Sequence, residues 1–209
     1  MFAESERKVD RYIYNYRKLT QEERQLILKE RRKHGFPLHA PPHLRGIKGT
    51  YLITSACYEH RSIFIDTKDL TWLENEVLKS FDEAQLLFHA WVFLPNHYHI
   101  LAEIEELGIL SEILRTMHSR IAKDINTRHG QRGRKVWYRY SDRFIRSQRH
   151  YLTSINYIHF NPVKHGYVDR METWSWSSIH EFSEKQGNKW IENTWKAYPL
   201  MNFGKGWDW

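Results

Sequence analysis

The sequence predicts an α+β domain built on a four-stranded antiparallel sheet that is covered by helices. Segments rich in β-branched and aromatic residues alternate with longer segments in which apolar residues recur at helical spacing. Turn residues, mainly Gly, Pro and Asn, separate these segments. With 209 residues, the chain is long enough to bury one such core and to carry extensions at its ends.

Residues 1–47 are predicted to form an N-terminal extension of helical and extended structure. The sequence TQEE at 20–23 is a capping box, in which a hydroxyl and a carboxylate satisfy backbone amides at the first turn of a helix. We expect that helix to end at Gly35, and the three prolines within 36–46 favour an extended connector after it.

The first half of the main domain is predicted to be a strand, a helix and two further strands. Residues 49–58 have the β-branched and aromatic content of a strand. Residues 69–85 place their apolar side chains on one face of a helix. Residues 86–95 and 97–105 are the next two strands, and a Pro-Asn turn joins them.

The second half is predicted to be a helix, a strand and a helix. Residues 107–130 form a long amphipathic helix, 136–147 are the fourth strand, and 149–160 are a final helix. The Asn-Pro pair at 161–162 is expected to stop this last helix. The order strand, helix, strand, strand, helix, strand is the ferredoxin-like, split-βαβ arrangement, with helices expected on one side of the sheet. The pairing of the second and third strands stays open.

Positive charge is concentrated in one stretch of the chain. The net charge is +7, whereas residues 115–149 hold eleven Lys or Arg against two Asp, an excess of nine. Aromatic residues lie among these cations, and the mixture suits a surface that neutralises phosphates and stacks on unpaired bases. A solvated basic face is the alternative interpretation. We expect nucleic-acid contacts to come from Arg115, Arg120, Lys123, Arg132, Arg134, Lys135, Trp137, Arg139, Arg143 and Arg146.

Several classes of site are disfavoured by the sequence. The single cysteine, Cys57, rules out a disulfide framework and a thiolate zinc site. There is no P-loop and no Rossmann glycine pattern, so we expect no nucleotide cofactor. The N-terminus lacks the apolar core of a signal peptide and no apolar run has membrane-spanning length, so we expect a cytoplasmic protein without a membrane partner.

The stretch PNHYHIL at 95–101 places two histidines on one face of a strand. Because strand side chains alternate between faces, His97 and His99 point to one side and Tyr98 to the other. Two imidazoles so placed can be surface residues, a hydrogen-bonded pair in a polar niche, or two ligands of one metal ion. The spacing by itself leaves all three interpretations open.

A tyrosine and an asparagine at helical spacing supply a second candidate group. Tyr157 and Asn161 are four residues apart in the last predicted helix, so they share one face. Asn161 could then bind a metal held by the two histidines while the phenol faces a phosphate. The alternative is ordinary structure, in which Asn before Pro ends a helix and Tyr is half-buried. Tyr151, the alternative nucleophile, is about 120° away around the helix.

Two motifs, in this order, resemble a known family. The run WVFLPNHYHIL at 91–101 resembles the His-hydrophobe-His motif of the single-tyrosine HUH transposases. The run YLTSINYIHFNPVKHGYV at 151–168, followed by WSWSSIHEF at 174–182, is similar to the motif of the REP-associated tyrosine transposases. The resemblance covers about residues 48–181, which would be the catalytic domain, and leaves an aromatic C-terminal tail at 182–209 outside it.

The resemblance implies a metal-dependent enzyme that cuts single-stranded DNA. His97 and His99 match the family's metal ligands, and Asn161 takes the place of its third, carboxamide ligand. Tyr157 matches the nucleophile. The implied metal is Mg²⁺ or Mn²⁺, of which Mn²⁺ accepts imidazole more readily. Tyr98 stands where the family usually has an aliphatic residue, a departure that leaves both histidines in place.

The expected function is therefore an endonuclease and strand transferase that acts on hairpin DNA of palindromic repeats through a 5′-phosphotyrosine intermediate. The chain would act as a monomer or a homodimer. The alternatives are a non-catalytic DNA- or RNA-binding module on the same fold, and a metal phosphodiesterase that uses water instead of Tyr157. Four further histidines are expected at the surface or in phosphate contacts, namely His118, His129, His150 and His165.

Overall fold

The structure, a computed structural model, describes residues 20–33 and 48–205. The predicted α+β fold is confirmed, with a four-stranded antiparallel sheet flanked by helices. The helices and strands of the described residues are α1 Gln21–Lys33, β1 Gly49–Ala56, α2 Thr67–Glu83, β2 Phe88–Leu94, β3 His97–Ile104, α3 Leu107–Arg128, β4 Ser141–Phe144, α4 Gln148–Lys164, α5 Ile179–Gln186 and α6 Asn188–Ala197.

The strands lie in the order β2-β3-β1-β4, and all neighbours are antiparallel. The sequence left open whether the second and third strands pair. They do, from Phe88 opposite Ala102 to Leu94 opposite His97. This is the ferredoxin-like order, because each βαβ unit leaves room for one strand between its own two.

Helices cover both faces of the sheet, whereas the sequence predicted them on one side, because the helix that carries Tyr157 packs on the other. Tyr98 of β3 contacts His118 of α3 on one face, whereas the next residue, His99, contacts Tyr157 of α4 on the other. Helix α4 thus packs against β2 and β3 on the face that carries the two histidines. On the opposite face α2 and α3 bury their apolar stripes, which consist of Leu70, Leu73, Val77, Phe81, Leu110, Leu114, Met117 and Ile121.

The fourth strand is shorter than predicted. Only Ser141–Phe144 pairs with β1, instead of the whole segment 136–147. Earlier in that segment Trp137 meets Cys57 in an isolated bridge. The aromatic content of the segment, which suggested a strand, reflects packing of its rings rather than a continuous ladder.

The helix that carries Tyr157 is longer than predicted. It continues through the Asn-Pro pair to Lys164. Pro162 falls in the last turn, where its missing N–H removes a single helical hydrogen bond. Gly166 lies just beyond the helix, and its φ of 71° is the left-handed conformation that commonly follows a helix C-terminus.

The region after residue 181 contains regular structure that its aromatic composition did not predict. Helices α5 and α6 lie there, and the side chain of Asn156 in α4 holds the second of them. Its Nδ2 donates to the backbone oxygens of Thr194 at 3.1 Å and Tyr198 at 2.9 Å. Residues 48–203 belong to one compact unit. The predicted domain boundaries at residues 47 and 181 stay predictions.

Helix α1 belongs to a separate unit and begins with the predicted capping box. The backbone N–H of Thr20 donates to Glu23 Oε2 at 2.8 Å, and that of Glu23 donates to Thr20 Oγ1 at 3.3 Å. The expected helix end at Gly35 and the connector at 36–46 lie outside the described residues. Across the part of the chain that the structure describes, none of the helices combines the length and apolar character of a membrane span.

Residues 176–178 cover the outer edge of β2. The N–H of Phe93 donates to the Trp176 oxygen at 2.9 Å, and the N–H of Ser178 donates to the Trp91 oxygen at 3.0 Å. Between them Ser177 bridges Val92. The WSWSS stretch thus satisfies backbone groups that an edge strand would otherwise present to solvent.

Candidate active site

The two histidines of β3 lie side by side beneath helix α4. His97 begins the strand directly after the Pro-Asn turn, and His99 follows on the same face. Their ring centres are 5.0 Å apart at an interplanar angle of 78°. The side chains are 3% and 0% exposed, so they are not surface residues. The polar niche and the metal site are the interpretations that fit.

Helix α4 brings the predicted tyrosine and asparagine to the same place. The ring of Tyr157 lies 5.1 Å from that of His99, and Asn161 Oδ1 lies 2.9 Å from His97 Nε2. Tyr157 and Asn161 are fully buried and one helical turn apart. The four residues therefore form one cluster, while their chemical roles stay predictions.

Hydrogen bonds orient each imidazole. His99 Nδ1 lies 2.8 Å from Thr54 Oγ1 on the neighbouring strand, so a metal ligand at this position would be Nε2. His97 Nδ1 lies 2.7 Å from Asn96 Oδ1, and its Nε2 faces Asn161 Oδ1. A neutral imidazole carries one N–H and cannot donate to both amide oxygens. Two acceptors then face each other, unless the ring carries a second proton or a cation lies between them.

This arrangement fits a divalent metal ion. Neighbouring ligands of an octahedral ion at about 2.1 Å are roughly 3.0 Å apart, close to the 2.9 Å between His97 Nε2 and Asn161 Oδ1. If the Asn161 amide were turned over, Nδ2 would face His97 Nε2. Oδ1 would then take the place of Nδ2 as the buried atom without a hydrogen-bond partner among the described residues. Within residues 20–33 and 48–205, no three His, Cys, Asp or Glu side chains form a metal cluster. A metal ion bound by the two histidines would therefore need the Asn161 carboxamide as its third protein ligand.

Two residues of the cluster were not predicted to belong to it. Lys164 Nζ lies 3.5 Å from Tyr157 Oη and 4.9 Å from the centre of its ring. The ring of His165 lies 4.9 Å from that of His97. Both follow Asn161 at helical spacing, so a prediction that continued the helix would have placed them on its face. The glycine after His165 was the available signal for the true helix end.

Two other histidines expected at the surface lie instead within the protein, because their sequence neighbours do not determine their contacts. His118 Nε2 is hydrogen-bonded to the Tyr98 hydroxyl at 2.7 Å, and the ring stacks on Trp137 with ring centres 4.3 Å apart. Burial lowers the pKa of His118 to about 3, so this ring is neutral at neutral pH. His129 Nε2 donates to a carboxylate oxygen of Asp69 at 2.6 Å.

The region at 115–149 presents most of its cations to solvent. Near the start of α4 their charge acts on His150, because burial and then Arg146 and Arg143 lower its pKa. The exposed members of the predicted DNA-binding set are Arg115, Arg120, Lys123, Arg132, Lys135, Arg139 and Arg146.

Several members of the predicted set have contacts inside the protein. Arg134 Nε donates to Asn126 Oδ1 at 2.8 Å, and its guanidinium also lies 3.1 Å from His129 Nδ1, which braces the loop after α3. Arg120 lies 2.9 Å from the carboxylate of Glu76 and donates to Ser80 Oγ at 3.0 Å. Arg143 is half-buried in β4, and the half-buried ring of Trp137 stacks on Phe64 with ring centres 5.6 Å apart. Whether these residues also contact DNA stays a prediction.

A buried hydrogen-bond network connects the tyrosine helix to the sheet. His159 Nε2 lies 3.0 Å from Ser178 Oγ, and that hydroxyl accepts from the Trp91 N–H of β2 at 2.9 Å. Burial, and then the charge of His180, lowers the pKa of His159 to about 3. The neutral ring joins α4, the WSWSS stretch and β2, so the position of Tyr157 relative to the sheet is fixed.

Known proteins resemble this chain in sequence and in fold, although no family model matches it. A REP-associated tyrosine transposase of Escherichia coli K12 is 27% identical over 133 residues, which cover 63% of this chain and 77% of the relative. A Haemophilus influenzae protein of the same description is 32% identical over 97 residues, or 42% of this chain and 55% of the relative.

Among solved structures, a REP-associated tyrosine transposase bound to a REP hairpin superposes with a TM-score of 0.56 at 26% identity. The superposition covers 70% of this chain and 85% of that one. Sequence and fold agree with the two motifs, and this chain is similar to the REP-associated tyrosine transposases.

Proposed function

We propose that this chain is a metal-dependent endonuclease and strand transferase that cuts single-stranded DNA beside a hairpin and becomes joined to it through Tyr157. One observation carries the proposal: the phenol of Tyr157 and the amide of Asn161 reach His99 and His97, respectively, in a single buried cluster. The similarity to tyrosine transposases, one of them bound to a REP hairpin, supports the same conclusion.

In the proposed reaction the phenolic oxygen of Tyr157 attacks the phosphorus of the scissile phosphodiester. The bond from phosphorus to the 3′ oxygen breaks, and the proton lost by the phenol is returned to that oxygen. The products are a 5′-phosphotyrosine and a free 3′-hydroxyl. Because one phosphoester replaces another, a 3′-hydroxyl can reverse the step and rejoin or transfer the strand without ATP.

The surroundings of the phenol suit this step. A tyrosine of ordinary pKa, ~10, is mostly protonated at neutral pH, so its oxygen needs help to become nucleophilic. Lys164 brings a positive charge within 3.5 Å of Tyr157 Oη, where negative charge develops. A divalent ion held by His97, His99 and Asn161 would withdraw charge from the phosphate and orient it.

The DNA itself would be held mainly by the exposed cations at 115–149. Phosphate contacts fix a hairpin in position and do not require a particular base sequence. A non-catalytic RNA-binding module on the same fold is less consistent with the structure. Such modules stack bases on an open sheet face, whereas helices cover both faces here.

The experiment that tests the proposal compares two tyrosines of α4. Tyr157→Phe removes the reactive hydroxyl and keeps the ring, so it should bind hairpin DNA but form no covalent adduct. Tyr151→Phe is the matched control, because Tyr151 is half-buried and contacts His89 rather than the cluster. Denaturing electrophoresis of a labelled single-stranded substrate measures the adduct.

The outcomes separate the alternatives. An adduct that persists in Tyr157→Phe would show that another residue is the nucleophile. Cleavage by the parent without any adduct would instead favour a metal phosphodiesterase that uses water.

A further inference from the structure

A series of aromatic contacts leads away from the candidate active site. The ring of His165, which contacts His97, lies 6.5 Å from that of Tyr167. Tyr167 packs on Trp174 at 5.4 Å, and Trp174 contacts Trp176 at 5.1 Å. The proposed chemistry gives no role to the three rings beyond His165.

Trp174 is the buried ring of this series, against which Tyr167 and Trp176 pack. It is 9% exposed, its Nε1 donates to the Phe93 oxygen at 2.9 Å, and its own oxygen accepts from His180 Nε2 at 2.9 Å. On either side of it Tyr167 is 37% exposed and Trp176 is half-exposed. Because these two rings pack on a buried, hydrogen-bonded side chain, a flat ligand that stacks on them loses little affinity to the ordering of side chains.

The far end of the series adjoins a shallow groove at the start of α2. Trp176 Nε1 donates to Thr71 Oγ1 at 3.0 Å. The guanidinium of Arg128 lies 4.2 Å from the centre of the Trp72 ring. The groove is lined by Thr67, Lys68, Thr71, Trp72 and Asn75.

We propose that Tyr167, Trp176 and Trp72, here named the aromatic platform, bind unpaired bases in the single-stranded flank of a DNA hairpin. One exposed and two half-buried rings, with hydroxyl and amide groups between them, suit stacked bases, and the guanidinium of Arg128 over Trp72 adds a second flat surface at the far end. Contact through His165 connects the platform to the cluster where cleavage is proposed. This inference rests on the proposed function and adds a binding surface outside residues 115–149.

The charge around the platform is nearly balanced, which distinguishes it from the basic region. Lys164 and Arg170 are offset by Asp169 and Glu172, and Glu172 lies 3.6 Å from Arg170. At the far end Arg128 lies 3.9 Å from the carboxylate of Asp69. Binding at the platform should therefore come from stacking and depend weakly on salt. Binding by residues 115–149 should depend on salt steeply, since each neutralised phosphate releases counterions.

The test measures the affinity of the full chain carrying Tyr157→Phe, which cannot cleave, for a DNA hairpin taken from inverted repeats beside its gene. The hairpin carries no flank, or an unpaired flank of about four or about eight nucleotides. A 2-aminopurine in the flank reports stacking as a loss of fluorescence. We expect a flank to raise the affinity roughly tenfold. The ratio of flanked to flankless affinity should change by no more than about fourfold between about 50 and 200 mM salt, the effect of one phosphate contact.

Variants of the platform assign the effect. Tyr167→Leu and Trp176→Leu should each remove most of the gain from the flank and the loss of fluorescence, with the affinity for the flankless hairpin unchanged. Tyr167→Phe keeps the ring and should retain both. Trp190→Leu is the matched control, because that half-buried ring contacts Phe182 in another part of the unit.

Three results would overturn the platform. A flank that adds no affinity would do so, as would a flank gain that survives in both leucine variants, or an equal loss for flanked and flankless hairpins. A protein that binds no hairpin at all would overturn the proposed function together with this inference. A flank gain lost only in the leucine variants supports the platform even if the parent forms no covalent adduct.

Discussion

Replacing His118 with glutamine should make folding stability less dependent on pH below neutrality. The ring lies against Trp137 at an interplanar angle of 19°, and its Nε2 is hydrogen-bonded to the Tyr98 hydroxyl at 2.7 Å. Burial raises the pKa of Tyr98, so the phenol keeps its proton. Burial lowers the pKa of His118 to about 3, so the ring is neutral near neutral pH. A second proton on the ring would place a charge in the core.

The direction and the size of the pH effect on the free energy of unfolding follow from the pKa values of His118 in the folded and the unfolded chain. The folded value of about 3 lies below the unfolded value of about 6.5, so the unfolded chain binds more protons between them. Stability is therefore lost as the pH falls through the unfolded pKa, by ~1.4 kcal/mol for each further pH unit. From about pH 7 to about pH 5 this one group removes ~2 kcal/mol.

Urea unfolding of the parent and of His118→Gln at both pH values measures this contribution. Glutamine offers an acceptor to Tyr98 but does not titrate, so the free energy of unfolding of the parent should fall by ~2 kcal/mol more than that of the variant. His118→Phe keeps the stack on Trp137 and leaves the Tyr98 hydroxyl without its acceptor, which should cost about 1–3 kcal/mol at pH 7. If the parent and His118→Gln lose the same free energy, His118 is not neutral in the folded protein and the reasoning fails.

The remaining predictions concern the proposed chemistry and the binding of DNA. His97→Ala and Asn161→Ala should each abolish cleavage with Mg²⁺ or Mn²⁺ but retain hairpin affinity in gel shifts, and normal cleavage in either would place the metal elsewhere. Replacing the exposed Arg132 and Lys135 together should reduce the slope of log affinity against log salt by up to about 2, and an unchanged slope would show that both face solvent in the complex. Lys164→Gln should slow adduct formation by about tenfold, a value discounted for the solvent exposure of this side chain, and Lys164→Arg should restore part of the rate. Equal rates in parent and Lys164→Gln would exclude the ammonium from the mechanism.

Local periodicity predicted which side chains share a face, and the family resemblance predicted that they belong to one site. The two-residue period of a strand places His97 and His99 on one face, and the four-residue spacing of a helix places Tyr157 and Asn161 on another. Both elements formed, and α4 packs on the strand that carries the histidines. The spacing rules alone did not indicate that the helix would pack on this strand.

Contacts between residues far apart in the sequence could not be predicted from helix and strand periodicity. Ser178 meets the backbone of Trp91 across 87 positions of sequence, and the WSWSS stretch shows no period that would indicate it. The inward packing of Trp137 likewise depends on Phe64 and His118, which belong to other segments. A ring among arginines is as compatible with stacking on bases as with packing in a core, so composition could not separate the two.

During synthesis of the chain, β2 emerges long before residues 176–178, which later cover its outer edge. Until then its free N–H and C=O groups can template pairing with a strand of another nascent chain. The opposite edge of the sheet offers only the four residues of β4. A chain truncated before Trp174 would retain all four strands and both histidines of β3, yet we expect it to aggregate through β2, which light scattering would detect. The WSWSS stretch would thus prevent self-association of the nascent chain through β2, besides helping to hold the helix that carries Tyr157.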